Sequence, residues 1–119
     1  MERQRLRTVK KEAVVEAIEK EFKIAAGAQT AGNEGMVRVC ARRAAGTAIG
    51  YWLAIHREKN WGVDAMNRLK NLQRDGSMPP QVQEAARRLT TKITEQFRSP
   101  FPTDPIADSR IIIEFFLKE

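Results

Sequence analysis

The sequence predicts an all-α protein, an up-and-down helical bundle of four to five helices. Three observations carry this. Ala, Arg, Lys, Glu and Gln are plentiful while aromatic residues make up 7% of the chain, a composition that favours helix over sheet. Apolar residues recur three and four positions apart through most of the chain, which is the spacing of one helical face. Gly, Pro, Asn and Asp gather between those runs, where turns are required. At 119 residues the chain suffices for one domain with a core of its own, not for two.

Residues 1–11 are basic, with Arg3, Arg5, Arg7, Lys10 and Lys11 against a single Glu2. They read either as an N-terminal arm or as the first turns of a helix, ahead of one helical-bundle domain over 12–119. Thr8 is a candidate N-cap, with Glu12 in or near the first turn. Val14, Val15, Ile18, Phe22, Ala25 and Ala26 form the apolar face of the first helix. Glu16–Lys20 and Glu19–Lys23 stand in the favourable i, i+4 order on its other side. The helix is expected to fade around Gly27 to Thr30. Ala31-Gly32-Asn33-Glu34-Gly35 is a break or tight turn, or else an interruption in one longer helix, and Asn33 is the natural N-cap of the second helix.

The second helix is arginine-rich at its start and apolar at its end. Cys40, Ala44, Thr47, Ala48, Tyr51 and Ile55 make one stripe; Ala41, Ala45, Ile49 and Trp52 make its neighbour. Gly46 and Gly50 lie one turn apart. Each costs on the order of 1 kcal/mol relative to Ala in a helix interior, so the pair predicts a close approach by another helix, of this domain or of a second copy. Asn60-Trp61-Gly62 ends the element. Val63, Met66, Leu69 and Leu72 predict a short third helix closed by Asp75-Gly76-Ser77. Pro79-Pro80 opens a fourth, with Val82, Ala85, Ala86, Leu89, Ile93 and Phe97 on its apolar face. Residues 98–103 read as an extended loop because the residue before each Pro avoids helix. Asp104-Pro105 sets an N-cap and a Pro at the first helical position. The Ile111-Ile112-Ile113 run alone would suit a strand, but that cap argues for a last helix, docked on the core or on another subunit.

The order of these elements resembles the HEPN family of small nucleotide-binding helical domains. The likeness rests on the central helix, with Val39-Cys40-Ala41-Arg42-Arg43-Ala44-Ala45-Gly46-Thr47-Ala48, on the short helix and Pro-opened helix after it, and on Arg98-Ser99-Pro100-Phe101-Pro102-Thr103-Asp104 leading into a final apolar helix. It spans most of residues 12–118. The resemblance implies a bundle of four or five helices, often dimeric. It also implies either a metal-independent ribonuclease using an Arg and a His with four to six residues between them, or a non-catalytic partner of RNA or of a nucleotidyltransferase-type protein. In this chain the only histidine is His56, and the positions where the family's Arg would stand are Ile49, Gly50 and Tyr51. The nuclease roles therefore pass to no residue here, and a non-catalytic module is the expectation.

The formal net charge of +6 suits an acidic partner, whether RNA, DNA, a nucleotide or a protein surface, or reflects a simple excess of surface arginine. Arg38, Arg42 and Arg43 are the candidate phosphate-binding residues. Arg38 and Arg42 are one turn apart on a shared face, and two guanidinium forks there would hold a phosphate. The competing role is an ion-pair network with Glu34 and acids of neighbouring helices. His56 and Trp61 are candidates for stacking on a base, against structural roles at a helix end and in the core. Cys40 is sixteen positions from His56 along one helix, more than four turns, so the two do not form a catalytic pair. A single cysteine excludes a disulfide framework. No phosphate-loop, dinucleotide or metalloprotease motif occurs, and no cofactor or metal is expected. No apolar run is long enough to span a membrane and no signal peptide opens the chain, so the expected location is cytoplasmic.

Overall fold

In a computed structural model, residues 2–91 and 104–118 are described, with backbone alone for residues 2–9. Five helices and no strand occur among them: α1 (Glu2–Thr30), α2 (Glu34–Ile55), α3 (Ala65–Arg74), α4 (Pro80–Thr90) and α5 (Pro105–Phe116). None of these helices is long and apolar enough to cross a membrane. The expected positions Ile93 and Phe97 and the Arg98–Thr103 loop lie outside the described residues.

The basic residues 2–11 form the first turns of α1. Thr8 lies inside that helix rather than at its start, because Arg3, Arg5 and Arg7 before it are themselves good helix formers. The break after Thr30 is a full reversal. Gly32 takes φ +73°, a left-handed conformation that favours glycine. The Asn33 side chain then accepts from the Met36 N–H at 3.1 Å and starts α2. Arg43 meets Glu21 across the hairpin, which a single uninterrupted helix would hold about 33 Å apart.

α2 is the central element. Cys40, Ala41, Ala44, Ala45, Ala48 and Ile49 are fully buried. The core gathers Ile18 of α1, Leu69 and Leu72 of α3, Val82, Ala85, Ala86 and Leu89 of α4, and Ile112 and Phe116 of α5 around it. The Ile run is thus part of a helix docked on the core of its own domain, with Ile112 fully buried. Asp104 caps α5 by accepting from the Ala107 N–H, and the buried Ser109 hydroxyl donates to the Ala41 carbonyl at 2.8 Å, fixing α5 on α2. Trp52, Trp61 and Phe116 interlock near the end of α2, with Phe116 edge-on to both indoles.

The small-residue face of α2 receives α3. A β-carbon added at Gly46 would fall 2.7 Å from the Ala65 β-carbon, and at Gly50 it would meet the Arg68 guanidinium. Arg68 Nη1 donates to the Gly46 carbonyl at 3.0 Å and Nε to the Gly62 carbonyl at 3.1 Å, so one side chain ties α3 to α2 and to the loop between them. That loop runs back along α3, with Asn71 reaching the Trp61 carbonyl and Lys59 paired with Asp75. α2 and α3 consequently point toward the same end of the bundle, and strict up-and-down alternation fails at that one connection.

Candidate functional site

The three candidate phosphate-binding arginines take different places. Arg38 is buried, at 8% exposure, and its Nη2 donates to the carbonyl oxygens of Arg88, Leu89 and Thr91 at 3.1, 3.1 and 2.9 Å. Arg42 Nε donates to the Leu89 carbonyl at 2.6 Å. Both guanidiniums therefore clamp the last turn of α4. Carbonyls at a helix C-terminus lack intrahelical donors and sit at the negative end of the macrodipole, so they are a natural target for a cation. Burial lowers the Arg38 pKa, and the neighbouring Arg42 lowers it further while Asp108 opposes both. Burial likewise lowers that of Arg42. Neither shift removes the charge near neutral pH, since an arginine starts so far above it.

The expected pair of outward forks on one face of α2 is thus not the arrangement found. Nor are the partners acids, as an ion-pair network would require. The sequence correctly puts Arg38 and Arg42 on one face, but that face meets α4.

Arg43 points away from them and keeps a half-exposed side chain. Its Nε lies 3.3 Å from Glu21 Oε2. This is an ion pair without hydrogen-bond geometry, because that otherwise buried oxygen accepts no hydrogen bond. The buried Cys40 thiol sits by the same pair. Desolvation pushes its pKa up, Glu21 adds to the rise and Arg43 opposes it, which suits a packing residue rather than a nucleophile.

Sequence reasoning missed Arg88 and Asp108. Arg88 Nε donates to Asp108 Oδ1 at 2.9 Å, and Nη2 lies at the same distance from it. Asp108 is buried in the first turn of α5, so the pair joins the end of α4 to the start of α5. The hydrogen bond to Asp108 raises the Arg88 pKa against the effect of burial. Only the sequence position of Asp108, one turn after the Asp104 cap, could have hinted at it.

His56 is the C-cap of α2. Its backbone N–H donates to the Trp52 carbonyl, its Nδ1 lies 3.0 Å from the same oxygen, and its ring stacks on the Trp52 indole with centroids 4.1 Å apart. A carbonyl oxygen only accepts, so Nδ1 is the donor in this contact. Trp61 is core, at 6% exposure. Among the described residues no three His, Cys, Asp or Glu side chains gather as metal ligands would. No protein-family model, no curated protein and no solved structure matches this chain.

Proposed function

We propose that this chain is a non-catalytic, HEPN-like helical module that binds nucleic acid, RNA in the first instance, through the phosphate backbone. The observation that supports this reading is the charge that the fold leaves over. The ion pairs Lys20–Glu16, Arg43–Glu21, Lys59–Asp75, Arg87–Glu84 and Arg88–Asp108 cancel one for one, so a net +6 stands outside them. A binding role also suits the buried thiol and the helix-capping imidazole, neither of which has a nucleophile's surroundings. Phosphate neutralisation releases counterions, so the affinity falls as salt rises. Fluorescence anisotropy of labelled single-stranded RNA is expected to give a linear fall of log K with log salt, steeper by about 0.7 for each phosphate contacted. No binding even at low salt would end this reading.

A second reading, self-assembly as a homodimer, is favoured by a separate observation. Of the five exposed large apolar side chains among the described residues, Val15, Ile24, Met36 and Val39 lie on the α1–α2 hairpin. The same surface would suit a nucleotidyltransferase-type partner. Light scattering at micromolar concentration is expected to give a dimer, and Ile24→Asp a monomer of unchanged helicity. A monomeric parent protein removes the homodimer.

A further inference from the structure

We propose that one end of the bundle is the nucleic-acid-binding face: the end where α1 begins and where α2, α3 and α5 stop. This rests on the proposed RNA-binding function and gives it a location. The antiparallel α1–α2 hairpin, closed by Arg43 and Glu21, brings the start of α1 beside the end of α2. Phe116 packed on Trp52 puts the end of α5 there. Lys59 paired with Asp75 puts the end of α3 against the loop that follows α2.

This gathering segregates the charge. Segments 2–11, 57–59, 74–75 and residue 118 hold nine cations against three acids, a surplus equal to the net +6 of the whole chain. Counting Glu12 and Glu114 as well, at or about a turn below this end, makes it nine against five and still leaves four. Helix dipoles do not absorb that. Three C-termini and the N-termini of α1 and α4 meet here, each worth about half a charge, so they leave a deficit of only about half a charge. Lys10, Arg57, Arg74 and Lys118 are exposed. None of these four belongs to an ion pair among the described residues.

The surface therefore has the electrostatic form of a polyanion site. The partner it fits is a nucleic-acid backbone rather than a membrane. Peripheral membrane binding joins basic charge to inserted apolar side chains. Among the residues whose side chains are described, the five exposed large apolar ones, Val15, Ile24, Met36, Val39 and Val63, lie outside these segments.

The test compares two double substitutions that change the net charge equally. Arg57→Glu with Lys118→Glu alters the proposed face; Lys20→Glu with Lys23→Glu alters exposed positions farther along α1. The first pair is expected to weaken single-stranded RNA binding tenfold or more and to flatten the salt slope by about two contacts; the second is expected to change affinity less than about threefold. The neutralising pair Arg57→Gln with Lys118→Gln should fall between the parent and the first pair, and all should match the parent's far-ultraviolet circular dichroism. If the parent binds RNA and both glutamate pairs weaken it equally, the location is wrong and the nucleic-acid reading stands. If the parent binds no RNA, both fall. If phosphatidylserine vesicles bind as tightly as RNA and through the same two residues, the partner is a membrane and the proposal is overturned.

Discussion

Arg38→Ala is expected to destabilise the domain by about 3 kcal/mol, a substantial part of the roughly 5–15 kcal/mol that a domain possesses. The substitution removes a single nitrogen that serves the carbonyls of Arg88, Leu89 and Thr91. Leu89 keeps Arg42 as a donor. The other two, which are partly buried, lose the side chain that serves them, and an unmade bond costs about 1–3 kcal/mol at a buried group and less where water reaches it. Relief from burying a guanidinium offsets part of this, which is why the estimate is not larger. Arg38→Lys should recover only a fraction, since the lysine ammonium ends one atom short of the position of Nη2 and sits on a flexible, strongly hydrated stem. Urea unfolding supplies the check: a lower midpoint with an unchanged slope is expected. A variant as stable as the parent would mean that the clamp contributes nothing. A stable variant that had lost RNA affinity would return Arg38 to the phosphate-binding role that its place in the sequence suggests.

That double meaning of Arg38 marks where the sequence is legible and where it is not. Local signals read well. Asn33 and the Asp104-Pro105 pair cap the helices they are expected to cap, and the Gly46–Gly50 spacing does announce a close neighbour. Each of these depends on residues within a few positions of one another. The arginines depend on a helix end some fifty residues downstream. To a guanidinium, a phosphate and the last carbonyls of a helix are the same kind of object, an array of oxygens carrying negative charge. Spacing along α2 shows that two forks share a face but not what that face meets. The Arg88–Asp108 pair is hidden for the same reason, and so is the course of the loop that turns α3 parallel to α2. The charge surplus at one end of the bundle is legible only in part: residues 1–11 advertise it, while Arg57, Arg74 and Lys118 join it only when the helix ends come together.

Gly46→Ala should cost about 2 kcal/mol net, although Ala is the better helix former. The new β-carbon would fall 2.7 Å from the Ala65 β-carbon and 2.9 Å from its α-carbon, both too close for carbon. Ala65 opens α3, whose start is pinned from two sides: Asp64 accepts from the Asn67 N–H at 2.8 Å, and Arg68 donates to the Gly46 carbonyl. The clash cannot be relieved by swinging a flexible side chain, so α3 itself has to move. Overpacking of that kind costs about 3 kcal/mol at the upper end of its usual range, and helix propensity returns about 1. Gly27→Ala provides the contrast. Gly27 is exposed near the end of α1 with nothing within 4 Å of an added β-carbon, so the same substitution should stabilise by about 0.5–1 kcal/mol. Ala65→Gly in the Gly46→Ala background should recover part of the loss, because it removes the closer of the two contacts and leaves the α-carbon. A double-mutant cycle by thermal unfolding would read a coupling of about 1 kcal/mol between the two sites. Additive effects, or Gly46→Ala behaving like Gly27→Ala, would show that α3 does not lie against α2 at Gly46. The tie from Arg68 to the Gly46 carbonyl would then fail with it, and α3 would have lost its anchor on the central helix.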